Sequence, residues 1–411
     1  MNDYKPLKKH LDYLDRELGV FMHYGIRTFN ETHRDWDMKP MSAASFDPSE
    51  QDCRSWIREL KEAGVKYTVL TSKHHDGFAL WQSNETEYCM KNAAYKNGKG
   101  DVVKEYVDAC REYGMFCGIY YSCAQFDTEE KKGTEYDDFV VNQLTELLTN
   151  YGKIDLLWFD GCGSEKHEFD NERITKTIRT LQPDIFVFGS WGRDARWIGN
   201  EWGAAPLNNP NTENFYGLFL PAECDCCITR NQSENFWFYN ETHKTCVRTP
   251  EEMLGLYYHT IGRGSNLLLN IAPDRRGLLP EENVKLLSDM TKEMRRRLVD
   301  CRIPCSEIKS DSEKMWVTLD RYSLVDHVVI EEDIENGEHI EEFDICIGET
   351  FEEFNNVQVY HGYTVGHKAI CTFPPIRAKN VIIKIKGDGK QKLKALYACY
   401  TASDKQITQI Y

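Results

Sequence analysis

Strand-like and helix-like segments alternate along the first three quarters of this 411-residue chain, and that alternation limits the fold more than any other feature. Short β-rich runs fall at 19–24 (GVFMHY), 66–72 (KYTVLTS), 115–122 (MFCGIYYS), 154–160 (IDLLWFD), 185–190 (IFVFGS), 223–229 (ECDCCIT) and 265–272 (SNLLLNIA). Between them, at 49–62, 102–112, 137–150 and 251–261, apolar residues recur at helical intervals. Asp47-Pro48-Ser49 reads as the opening of the first of these helices and Gly64 as its close. Strands separated by helices pair in parallel, because each crossover returns the chain to the same end of the sheet. The seven β/α units predict a (β/α)8-type barrel whose eighth strand the pattern does not reveal. A doubly wound sheet is the alternative. No glycine-rich phosphate loop follows the first strand, which counts against that alternative, and no cofactor is expected.

After the charged helix around Met290–Arg297 the texture changes to alternating strands and turns, as in KMWVTLDR, HVVIEEDI and NVIIKIKG. Residues 1–298 are therefore expected to form the barrel and 299–411 a β-sandwich.

A formal net charge of -16 argues against a phosphate-backbone partner and favours a neutral substrate. No stretch approaches the ~20 apolar residues of a bilayer span. The N-terminal stretch MNDYKPLKKHLDYLDRELGVFMHYG has no apolar signal core, and 15 cysteines without one imply free thiols, so a cytoplasmic protein is expected. On that reading the N-x-S/T sequons at Asn84, Asn231 and Asn240 carry no weight. Cys224 and Cys227 form a C-x-x-C without a second pair at zinc spacing, and are read as packed thiols.

A barrel of this type carries its chemistry at the C-terminal ends of its strands. There the sequence puts His23, then His74 and His75, then Tyr120 and Tyr121, then Asp160, with Arg193 following the fifth strand. Strand alternation turns Leu156, Trp158 and Asp160 to the barrel axis, and Leu157 and Phe159 to the helices. A carboxylate above an indole on that axis is costly unless hydrogen-bonding partners surround it. That arrangement suits a nucleophilic acid in a sugar site, kept ionised by the histidines. Metal-dependent barrels usually open with His-x-His on the first strand, where this chain has His23-Tyr24-Gly25; no metal is expected. A catalytically inert sugar-binding protein and a hydrolase for a different sugar are the other readings.

The segments FMHYG, KYTVLTSKHHDGFALW, GIYYS and YGKIDLLWFDG, in this order and spacing, resemble the α-L-fucosidases of glycoside hydrolase family 29. SNLLLNIAPDRRG at 265–277 continues the likeness, and VVIEEDIENGEHIEEFDI and GYTVGHKAI resemble the β-sandwich that follows the barrel in that family. The resemblance implies Asp160 as nucleophile, with His23, His74 and His75 on fucose hydroxyls and Trp158 and Tyr121 lining the same sugar. For both adjacent histidines to reach it, the backbone must bend after Lys73, which Gly77 would permit. Asp35-Trp36 stands where the family often has Glu-Trp, and either Arg193 or Arg196 supplies its arginine near the nucleophile. Two glutamates compete as acid/base. RWIGNE resembles the subgroup acting on α-1,3/1,4-linked fucose and favours Glu201, leaving Glu223, at the start of a strand, as a structural or secondary site acid. The resemblance further implies a retaining double displacement with carboxyl groups ~5–5.5 Å apart. The expected partner is a fucosylated oligosaccharide, its neighbouring sugar packed near Trp202 or Trp237.

Overall fold

The computed structural model describes residues 4–30, 39–125, 131–161, 164, 166–189, 191–213, 217–230, 237–311, 313–350 and 356–402. A short helix, α1 (Lys8–Leu14), leads into β1 (Leu18–Met22), and α2 (Cys53–Glu62) carries the chain to β2 (Tyr67–Lys73). Helix α3 (Val102–Tyr113), β3 (Phe116–Ser122), α4 (Gly133–Asn150), β4 (Leu156–Asp160), α5 (Asn171–Leu181) and β5 (Phe186–Phe188) continue the alternation. The next strand, β6, is only Arg196–Trp197. A two-stranded ribbon of β7 (Thr212–Glu213) and β8 (Leu218–Phe219) precedes β9 (Ala222–Cys227), α6 (Pro250–His259), β10 (Asn266–Asn270) and α7 (Glu281–Arg295).

Eight strands pair in the order β5-β4-β3-β2-β1-β10-β9-β6, each pairing parallel. A further parallel bridge from Phe188 to Ala195 brings the two edges together, so the sheet is a nearly closed barrel. The eighth strand is thus the RW of RWIGNE. Two residues are too few to carry a period-2 pattern, which is why the sequence does not reveal it. Among the described residues no helix follows β5 or β6, so this side of the barrel mouth is built from loops.

Local chemistry sets most boundaries. Asp52, not Ser49, caps α2, its side chain accepting from the Arg54 and Ser55 amides; the preceding segment is tied to the loop after β10 through Glu50 N–H to the Arg276 carbonyl. Asp101 caps α3, which ends on Gly114 in the left-handed conformation at φ +61°. The barrel interior is filled by Tyr13, Phe21, Tyr67, Tyr120, Trp158, Phe186 and Phe188. Gly19 makes room for them: a Cβ there would lie 2.3 Å from Tyr67 Cζ. Leu157 and Phe159 pack outward into the strand–helix core, as alternation requires.

Beyond α7 the chain passes a wider helical turn, Arg296–Asp300, into antiparallel structure. Strands β11 (Lys309–Ser310), β12 (Lys314–Glu332), β13 (Ile340–Gly348), β14 (Asn356–Gly362) and β15 (Ala369–Gly387) pair in the order β11-β12-β15-β13-β14, and β16 (Leu393–Cys399) adds to β12. Register shifts at Thr318/Ser323 and Val325/His327 let the two long strands bend, so this sheet encloses its own core of Val317, Val328, Ile345, Val381 and Ile383. It docks on the barrel through the Ile370 amide to the Gly262 carbonyl, and through Tyr258 and His327, whose hydroxyl and Nε2 lie 2.7 Å apart. No helix among the described residues is long and apolar enough to cross a membrane.

Candidate active site

A cavity of about 360 Å³ opens at the C-terminal ends of the strands, within the range of small-molecule sites. Phe21 and His23 from β1 and its exit, His74 and His75 after β2, Tyr120 from β3, Trp158 and Asp160 from β4 and Phe188 from β5 form its floor and walls. Trp197 of β6, Glu201 of the following loop, Asp225 of β9 and Trp237 complete it.

Asp160 sits where β4 ends, and Tyr120 and His75 are among the neighbours that hold its carboxylate. Tyr120 donates its hydroxyl to Oδ2 at 2.9 Å, and His75 Nε2 lies 3.5 Å from the same oxygen. His75 is oriented in turn by Ser122, whose Oγ is 2.7 Å from Nδ1. Burial lowers the His75 pKa, against the pull of Asp160. His74 is lowered well below the ordinary value, by burial and then by the charges of its histidine neighbours, and its buried Nδ1 has no hydrogen-bond partner among the described residues. His23 is pushed down to about 3 by burial and is neutral. Its Nδ1 lies 2.9 Å from Asn270 Oδ1, and the Asn270 amide is oriented by donating to the Trp237 carbonyl at 2.6 Å. An acceptor oxygen at Nδ1 places the proton there and leaves His23 Nε2 as an acceptor.

Both adjacent histidines reach the cavity because the chain leaves β2 after Lys73 and turns, the Gly77 amide donating to the His74 carbonyl at 3.0 Å with Gly77 at φ +90°. The register against β3 also slips between Thr71 and Lys73, which changes the face from which that turn starts. Behind them Asp76 accepts the Phe78 amide and pairs with the buried Arg27, Nε to Oδ2 3.4 Å.

Glu201, partly exposed, stands at the rim of the same cavity as Asp160. Its pKa is raised, first by burial and then by the negative charge of Asp160, while a hydrogen bond from Trp237 works in the opposite direction. Trp237 itself packs against His23, ring centres 4.8 Å apart and planes tilted by 37°.

Tyr121 and the arginines need correcting as site residues, and of the two readings of Glu223 the structural one holds and substrate contact does not. Tyr121 does not line the cavity: β3 turns Tyr120 inward, in register with Trp158, and sends Tyr121 to the helices, where its hydroxyl donates to Gln143 Oε1 at 2.8 Å. Glu223 lies a layer beneath the cavity, wholly buried, accepting from the hydroxyls of Tyr13 and Tyr67 and from Trp158 Nε1. It is near the start of β9, at the wrong end of the strand to meet a substrate. Neither arginine is among the described lining residues: Arg193 is half-buried beyond β5, and Arg196 turns to the Asn209 side chain and the Pro210 carbonyl. Asp35 and Trp36 fall outside the described residues.

Asp225 is a lining carboxyl the sequence reading passed over. It faces the axis two residues above Glu223, accepts from Trp197 Nε1 at 2.7 Å, and is pushed up to about 8 by burial, so it is protonated at neutral pH. Applying alternation from Glu223 to Asp225, as was done for Trp158 and Asp160, would have found it.

An eight-stranded parallel barrel that sets a tethered carboxylate and a second carboxyl of raised pKa on one sugar-sized cavity is the architecture of a barrel glycosidase, here with an antiparallel sheet domain appended. The family profile described as Alpha-L-fucosidase matches residues 3–297, and the chain belongs to this family of glycoside hydrolases. It is 33% identical to Alpha-L-fucosidase 1 of Arabidopsis thaliana over 312 residues, covering 70% of this chain and 60% of that enzyme. The chain thus spans somewhat less than two thirds of that relative's length. With the plasma alpha-L-fucosidase of Homo sapiens it shares 28% identity over 352 residues, 74% of this chain and 72% of the human one. A Bacteroides ovatus homologue superposes with a TM-score of 0.88 at 29% identity, covering 98% of this chain and 75% of the other. A glycoside hydrolase 29 family member from a rumen bacterium gives 0.86 at 27%, covering 97% and 78%.

Proposed function

We propose that this chain is a retaining exo-α-L-fucosidase that removes terminal fucose from oligosaccharides, with Asp160 as nucleophile and Glu201 as acid/base. The observation that carries the reading is the contrast between the two carboxyls. Asp160 is held by the Tyr120 hydroxyl, whereas Glu201 is driven toward its protonated form by burial and by Asp160 itself. Asp160 attacks the anomeric carbon as Glu201 protonates the departing glycosidic oxygen. Glu201, now a carboxylate, then takes a proton from the water that opens the fucosyl-enzyme, so configuration is retained. His23 Nε2 is an acceptor for one sugar hydroxyl, and His74 Nδ1, without a hydrogen-bond partner among the described residues, supports a second contact. The RWIGNE loop, by its resemblance to the subgroup, supports a preference for α-1,3/1,4 linkages.

The test is azide rescue with an activated aryl fucoside. Asp160→Ala should lose several orders of magnitude in kcat and, with azide, yield a fucosyl azide of inverted configuration. Glu201→Ala should keep the first step for good leaving groups, nearly lose natural oligosaccharides, and yield the retained azide. Near-normal turnover by Asp160→Ala would overturn the assignment. A panel of α-1,2-, α-1,3-, α-1,4- and α-1,6-fucosides tests the linkage, and equal rates across it would refute the preference.

A further inference from the structure

Trp197 is a large aromatic side chain left 46% exposed at the mouth of the cavity. Its only polar atom is already used, since Nε1 donates to Asp225 Oδ1 at 2.7 Å, so what it shows to solvent is carbon. Asp225 is itself 4% exposed, a rigid acceptor anchored on β9. The strand that carries Trp197 is two residues long, but its neighbourhood is stitched to β9 on both sides. The Arg196 amide donates to the Pro221 carbonyl, the Ile198 amide to the Glu223 carbonyl, and Trp202 bridges back to Cys226. Glu201 sits on that same stitched loop, so the indole stands on the side from which the acid/base approaches the leaving oxygen. Trp237 packs against His23, where fucose would lie, and Trp202 is not among the described lining residues.

We propose that Trp197 is the stacking platform for the sugar unit on the leaving-group side of the scissile bond, and that Asp225 is the positioning residue that holds its indole in place. The inference rests on the fucosidase reading above and adds a specificity determinant to it. Pyranose rings present apolar C–H faces that pack on aromatic planes, and a pre-oriented indole loses little freedom when one docks. Asp225 acts here as a neutral acid, because burial keeps its proton on at neutral pH. Asparagine offers the same acceptor oxygen in nearly the same volume and is therefore the conservative replacement.

The experiment compares kcat/KM for an α-1,3- or α-1,4-fucosylated oligosaccharide with that for α-L-fucosyl fluoride, whose leaving group is a single atom. Trp197→Ala should lower the oligosaccharide-to-fluoride ratio by roughly tenfold, chiefly through a higher oligosaccharide KM. Asp225→Ala should lower it in the same direction, and Asp225→Asn should restore most of it. Trp197→Phe, which lacks the N–H, should lower the ratio by itself and add nothing further in the Asp225→Ala background, since both remove one link. If Trp197→Ala changes both substrates by the same factor, or if Asp225→Ala and Trp197→Phe are additive, the proposal is overturned. Failure of the fucosidase reading would look different, because the unaltered protein would then turn over neither substrate.

Discussion

Replacing Glu223 by alanine separates a structural carboxyl from a catalytic one. The side chain accepts from three buried donors, the hydroxyls of Tyr13 and Tyr67 and the Trp158 indole N–H, and none of the three is more than 7% exposed. Each donor stranded without an acceptor costs about 1–3 kcal/mol, so the upper bound for all three is roughly 3–9 kcal/mol. Two effects pull the net value to the lower end. Burial raises the Glu223 pKa, so the ionised group is itself costly to hold, and water admitted to the vacated space recovers part of the hydrogen bonding. A net loss of about 3 kcal/mol is expected, lowering the Tm of the barrel by roughly 6–12 °C. Calorimetry reads the loss directly. The same variant, assayed well below its Tm, should retain the wild-type dependence on leaving group and give no azide product. If Glu223→Ala instead melts with the parent protein, discriminates sharply against poor leaving groups and forms a retained fucosyl azide, the reasoning fails and the acid/base role passes to Glu223.

Tyr120→Phe deletes a hydrogen bond to an ionised acid, worth about 1.5–3 kcal/mol, so kcat/KM should fall roughly 10- to 150-fold, whereas Tyr121→Phe, which breaks only the contact with Gln143, should lose stability rather than activity. A larger activity loss in Tyr121→Phe would reverse the assignment of the two tyrosines. Trp237→Phe removes the hydrogen bond that lowers the Glu201 pKa, so the basic limb of the kcat/KM profile should move to higher pH; a downward shift would contradict it. Asp225, pushed up from the ordinary 3.8 to about 8, keeps its proton in the folded state while the unfolded chain gives its own up. Its contribution to stability is therefore complete below the unfolded value and is lost as pH rises to about 8, and Asp225→Asn should flatten the Tm-against-pH curve across that interval.

What the sequence determined by itself was whatever depends on neighbours along the chain. The alternation of strand and helix patterns was enough for a parallel barrel with an antiparallel domain behind it, and period-2 reasoning on LLWFD was enough to turn Trp158 inward with Asp160 above it. Tertiary structure decided whatever depends on register between strands. Tyr120 rather than Tyr121 meets Asp160 because β3 pairs Tyr120 with Trp158, and no residue within GIYYS carries that information. The turn that carries both histidines of KHHDG starts from a face set by the one-residue slip of β2 against β3, a property of the pair and not of either strand. The eighth strand is two residues held by edge pairing to β9, with no local pattern to betray it. Glu223 and Asp225, two residues apart on one strand, part company for the same reason. Closing the barrel buries the lower carboxyl among three donors and leaves the upper one at the cavity wall, because distance along the barrel axis exists only once the sheet has closed.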